Sequence, residues 1–153
     1  MELSTDRILT THVGSLPRPD RLVEMLGKED KGEQVDQNTL QVIISEAVTN
    51  IVDEQVRAGI DIVCDGEFSK MSYHVYAKHR LKGLGNIVGT GVPGRSLPRD
   101  IQDFPDMMQE PLGGGGTELL QSVVCEGAVT YFDYTPLNRD IANLKAATQS
   151  AKP

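Results

Sequence analysis

The chain has 153 residues, 39% hydrophobic and 24% charged, with a formal net charge of -7 and a pI near 4.9. Its length suits one domain with a core of ordinary size, and the even spread of apolar and charged residues excludes a disordered chain. An acidic chain with no Lys/Arg cluster excludes nucleic acid as an expected partner, and no stretch approaches the roughly 18 apolar residues that span a bilayer.

Met1 to Asp6 lacks the basic-then-apolar order of a signal peptide, so the expected location is the cytoplasm. Arg7 to Thr11 is a short β-prone run, stopped by His12-Val13-Gly14-Ser15-Leu16-Pro17-Arg18-Pro19, where a glycine and two prolines prevent its continuation. A strand followed by a structured loop is expected. Asp20 to Leu26 reads as a short helix behind Pro19, and Gly27 to Gln37 as a charged surface connection, the expected mobile loop.

Asn38 is a good N-cap, and behind it Leu40, Ile43, Ile44, Ala47, Val48, Ile51, Val52 and Val56 recur at helical spacing. Gln41, Glu46, Asn50, Asp53, Glu54 and Arg57 fill the opposite face. This is the clearest helix in the chain. Gly59 suits the left-handed position that ends it, and Ile60 to Cys64 follows at once as a strand. A strand, a long crossover helix and a second strand imply parallel pairing.

A helix beginning near Ser72 would carry His74 and His79, but five residues of separation place them about 140° apart, so no shared metal site is expected. Leu81 to Gly89 and Ser122 to Tyr131 are further strand candidates. Gly91 to Gly116 holds four prolines and four consecutive glycines, and is expected to be a long insertion with one short helix near Ile101 to Met108. Asn138 to Ser150 closes the pattern as a helix, with Ile141, Leu144, Ala147 and Ala151 in step. Cys64 and Cys125 sit in apolar runs without a second Cys or a His at metal-ligand spacing, and both are expected to be reduced and buried.

Alternating strands and helices point to an α/β fold, either an open doubly wound sheet or a closed barrel. Both architectures place ligands beyond the strand ends, where this chain has His12-Val13-Gly14-Ser15 and Asp65-Gly66-Glu67. The Gly14-Ser15 turn offers backbone N–H groups and a hydroxyl to an anion, although a plain turn beside two prolines has the same appearance. Glu67, just past an apolar strand, suits a carboxylate that pairs with an ammonium group or accepts a proton; the alternative is a solvated Asp-Gly turn. Phe68, Tyr73, Tyr76 and Phe132 are candidates to line a pocket or fill the core.

Taken together, Thr10 to Arg18 and Gly59 to Glu67 resemble the paired signatures of the cobalamin-independent methionine synthase family. They stand in the right order, one long amphipathic helix lies between them, and Glu126 to Tyr131 is similar to a later family strand. The resemblance implies a (β/α)8 TIM-type barrel in which zinc activates the thiol of homocysteine to accept a methyl group, with a folate as methyl donor. Carried over by position, Gly14 and Ser15 match the loop that holds the amino-acid carboxylate, and Glu67 matches the acid that receives the ammonium group. His12 and Asp65 complete the expected substrate-binding set.

Two departures follow. His12 stands where larger methionine synthases have a smaller residue, and Phe68-Ser69-Lys70 resembles the compact stand-alone members instead. The family's zinc ligands, a His-x-Cys pair, a Glu and a further Cys, belong to later strands, and this chain contains no His-x-Cys. Neither a catalytic residue nor a metal ligand is therefore expected here. Since a full barrel takes about 250 residues, the expectation is a single incomplete barrel domain over 1–153, truncated after the first strands and prone to self-association through exposed edges. The competing readings are a non-catalytic binding or assembly module from a truncated gene, another thiol transferase, or a uroporphyrinogen decarboxylase-like barrel.

Overall fold

The computed structural model describes residues 4–78, 80–86, 99, 103, 104 and 123–151. These show a mixed α/β architecture in two compact units, Met1–Met71 with Tyr134–Pro153, and Ser72–Asp133.

The first unit is built around helices α1 (Asp20–Asp30) and α2 (Gln37–Arg57). The expected loop at Gly27 is instead the continuation of α1. Gly27 is tolerated inside the helix, where Lys28 pairs with Glu24 one turn back. The stop comes at Gly32, with φ +74°, where Glu33 N–H donates to the Lys28 carbonyl and caps the last turn. Helix α2 starts one residue before Asn38. Its N-cap is Asp36, whose carboxylate accepts from the backbone N–H groups of Asn38 and Thr39 at 3.3 and 3.2 Å. At the other end Gly59, φ +79°, takes the left-handed position as expected, and Ile60 N–H donates to the Gln55 carbonyl.

Leu40, Ile43, Ile44, Ala47, Val48, Ile51 and Val52 form the buried face of α2 and meet Leu22 and Leu26 of α1. The last helix of the chain (Thr135–Ser150) starts three residues before the expected Asn138, with a proline in its first turn. It places Ala147 in the core with Leu144 and Ala151 beside it, while Ile141, expected in step, is 43% exposed. Phe68 completes this core at 2% exposed.

The expected strands at Arg7–Thr11 and Ile60–Cys64 reduce to one parallel bridge between Thr11 and Ile62, with Ile62 N–H donating to the Thr10 carbonyl at 3.0 Å. Side chains occupy the groups a ladder would use. Asp61 accepts from the Thr10 N–H at 2.8 Å, the Thr10 hydroxyl at 3.0 Å and the Arg7 guanidinium. The pairing that does exist runs parallel, as the strand-helix-strand order implies.

The second unit holds α3 (Tyr73–Lys78) and a two-stranded antiparallel sheet of β1 (Leu81–Asn86) and β2 (Val123–Tyr131), registered Leu81 to Tyr131 and Asn86 to Val123. The register shifts around Gly83, φ +82°, where a Cβ would lie 2.5 Å from the Ala128 carbonyl oxygen. Arg80 is buried between the rings of Tyr76 and Tyr131, at 4.2 and 4.9 Å. Both cysteines are free, but Cys125 is exposed on β2 rather than buried, and Cys64 is half-buried. The expected insertion and its short helix lie outside the described residues apart from Arg99, Asp103 and Phe104, as do His79 and the side chain of His74. No helix among the described residues is long and apolar enough to cross a membrane.

Candidate functional site

The two loops singled out beyond the strand-like runs meet in the first unit. Leu16 N–H donates to the Gly66 carbonyl at 3.0 Å, and the Ser15 hydroxyl donates to Glu67 Oε2 at 2.6 Å. Residues 52 positions apart thus share one hydrogen bond.

Each loop has a local cause. Asp65 Oδ1 accepts from the Glu67 N–H at 2.9 Å, and Asp65 Oδ2 lies 3.7 Å from Lys70 Nζ, so this carboxylate shapes the turn and is itself balanced by Lys70. Gly66 and Glu67 follow in left-handed backbone at φ +64° and +59°. Glycine fits that region without cost, whereas Glu67 is held there against its preference by the contacts around it. Phe68 anchors the turn in the core just beyond.

The strand-like run before the turn is fixed by Gln55 of α2. Its amide donates to the Cys64 carbonyl at 2.8 Å and accepts from the Cys64 N–H at 3.0 Å, as a neighbouring strand would. Gln55 is only 5% exposed, and it also donates to the Ile51 carbonyl. The sequence gives a signal for this residue, a glutamine at helical spacing on an apolar stripe, and the expected buried face did not include it.

Arg18 is the second functional residue missing from the expected set. Its Nη2 donates to the Glu67 main-chain carbonyl at 3.1 Å and to the Ser15 hydroxyl oxygen at 3.4 Å. Burial pushes the guanidinium pKa below its usual value, and the charge of Glu67 opposes that shift. His12 does not join this cluster through a described contact. Its Nε2 lies 3.1 Å from the Gly14 carbonyl, which only accepts, so that nitrogen carries the proton. Gly14 itself turns at φ +100°.

Of the expected set, Ser15 and Glu67 therefore meet directly, with Asp65 building the turn beneath Glu67 and Gly14 shaping the opposite loop. The arrangement places a carboxylate, a hydroxyl and a guanidinium side by side, a set suited to a small ligand that carries both charges. Phe132 and Tyr73 belong to the second unit and are exposed.

The first unit of this mixed α/β chain thus gathers polar groups beside the parallel Thr11–Ile62 bridge. The family described as cobalamin-independent synthase, catalytic domain, matches residues 8–91, more than half of the chain, and the chain belongs to that family. Methionine synthase of Sulfolobus acidocaldarius is 35% identical over 75 residues, which are 49% of this chain and 22% of that protein. Methionine synthase of Saccharolobus islandicus is 34% identical over the same length and coverage. The uncharacterized protein YxjH of Bacillus subtilis is 38% identical over 73 residues, 19% of its length. The alignments thus span about a fifth of these curated relatives.

Proposed function

We propose that the chain carries the amino-acid-binding part of a methionine synthase-like methyltransferase, in which a methyl group passes to a homocysteine-like thiol. The observation that supports this most directly is the 2.6 Å contact between Ser15 and Glu67, which brings the Gly14-Ser15 turn and the Glu67 carboxylate together. The Gly14-Ser15 turn receives the carboxylate of the ligand, Glu67 receives its ammonium group, and Asp65 keeps Glu67 in position. His12 borders the carboxylate side. Ser15 and Glu67 hydrogen-bond each other, and the ligand replaces that bond with charge-assisted contacts to both.

On this reading the two loops stand at the ends of the first strands of a (β/α)8 barrel, with α2 as the first crossover helix. The parallel sense of the Thr11–Ile62 bridge favours that placement. Zinc, as a thiol-activating ion, and a folate methyl donor belong to the same reading. Among the described residues, no three His, Cys, Asp or Glu side chains lie together as a metal would require. Zinc does not fit the described part of the chain. What these residues do is bind and orient.

The test is Glu67→Gln. Titrated calorimetrically with homocysteine and with mercaptobutyrate, which lacks the ammonium group, the variant should lose roughly 10- to 100-fold in affinity for the first and little for the second. Equal losses for the two thiols would remove the assigned role of Glu67.

A further inference from the structure

We propose that Arg18 is a specificity-determining residue of this site, its guanidinium supplying the positive charge that receives the carboxylate of the ligand. The inference rests on the proposed roles of Glu67 and the Gly14-Ser15 turn and adds a charged partner at the carboxylate pole, where the turn alone offers only neutral donors.

Three observations carry it. Arg18 stands against both halves of the site, with Nη2 bonded to the Ser15 hydroxyl oxygen and to the Glu67 main-chain carbonyl. No carboxylate among the described residues lies within ion-pair distance of its guanidinium, although the charge of Glu67 is near enough to favour the cation. The Glu67 carboxylate close by accepts from Ser15 instead. Finally, Nε is buried and has no partner among the described residues, so the guanidinium holds unused hydrogen-bonding capacity beside the turn.

A half-buried cation with no direct ion pair is costly, and a bound carboxylate reduces that cost while matching the planar fork of donors. The 3.4 Å contact to Ser15 is long for a hydrogen bond, which leaves the Nη2 edge open to exchange toward an arriving oxygen. Arg18 and Glu67 then form the two poles of a receptor for a zwitterion. Ser15, between them, turns its hydroxyl from Glu67 to the ligand.

Three thiols separate the poles: homocysteine with both charges, mercaptobutyrate with the carboxylate alone, and mercaptopropylamine with the ammonium group alone. Calorimetric titration of the full chain and of Arg18→Gln should show a loss of roughly 10- to 100-fold for the first two thiols and no comparable loss for the third. Arg18→Lys should recover part of the loss, because it restores charge without the fork. Should Arg18→Gln fail to fold, the wild-type Arg18 Nε–H resonance gives the reading: it should shift saturably with mercaptobutyrate and remain in place with mercaptopropylamine. Equal losses for all three thiols, or none, overturn the role of Arg18 even if Glu67→Gln remains selective for the ammonium group. If Glu67→Gln is not selective, or the wild-type chain binds none of the thiols, the underlying reading falls as well.

Discussion

At Gly66 and Glu67 two consecutive residues hold left-handed backbone, and the surroundings make the first of them irreplaceable. A Cβ on Gly66 would lie 2.9 Å from Phe68 Cε1 and 3.2 Å from Leu16 Cβ, both anchored atoms. Gly66→Ala should therefore cost about 2–4 kcal/mol, the sum of a left-handed alanine and an overpacked contact. Gly14→Ala meets open space at φ +100°, so only the backbone penalty, about 1–2 kcal/mol, should appear. Urea unfolding of the two variants checks the difference, and equal losses would mean that the Phe68 ring yields freely. The Asp-Gly pair already marks this position as a turn in the sequence. That Glu67 shares the left-handed conformation was not legible, because a glutamate has no such preference and is placed there by Asp65, Arg18 and Ser15 from outside the dipeptide. Arg18 was hidden for the same reason, since its partner at Glu67 lies 49 residues away.

Among the elements, α2 does most to position the site, and seven of the eight apolar positions expected on its inner face are buried, because helical spacing is a local property; Val56 is only half-buried, and Gln55 takes the last place on the stripe. Its start was misplaced by two residues at the cap, where Asp36 and Asn38 are both acceptable and Asp36 reaches two backbone N–H groups. The strand-like runs were legible in place but not in extent. Asp61 and Gln55 satisfy backbone groups that a longer ladder would have used, and a polar side chain acting as a strand neighbour leaves no periodic trace. Gln55→Ala should cost about 2–4 kcal/mol, since it leaves the Cys64 N–H and C=O without their partner in a half-buried place. Thermal and urea unfolding report the loss, and a change below about 0.5 kcal/mol would show that water replaces the amide without difficulty. The antiparallel sense of β1 and β2 was not readable, because it depends on the path between residues 86 and 123 and not on either strand.

For the molecule as a whole, the acid limb of stability follows from carboxylates that the fold keeps ionised. The Arg7 guanidinium, the Thr10 N–H and the Thr10 hydroxyl hold Asp61 well below its ordinary value of 3.8. The Thr39 hydroxyl, and after it the backbone N–H groups of Thr39 and Asn38, lower Asp36 in the same direction. A carboxyl that is more acidic in the folded state binds fewer protons there than in the unfolded chain. Its contribution is complete above the ordinary value and is lost as pH falls through the lower, folded one. Stability should therefore decline as pH drops below about 3.8, and Asp61→Asn should flatten that decline while lowering stability at neutral pH. Unfolding curves recorded between neutral and strongly acidic pH provide the check; an unchanged acid slope in the variant would assign the decline to other groups. The mixed α/β character was legible from the alternation of patterns, whereas the division into two units was not, since it is a property of contacts.

The pairing of Ser15 with Glu67 also has a thermodynamic side. Two oxygens contributed from points 52 residues apart in the chain are neighbours only while the intervening helix is in place. A solute that engages both is invisible to the unfolded polymer, so by mass action its concentration becomes a determinant of the melting temperature. A tenfold excess over the dissociation constant would deepen the native well by about 1.4 kcal/mol, enough to rank candidate metabolites by thermal shift without any assay of turnover.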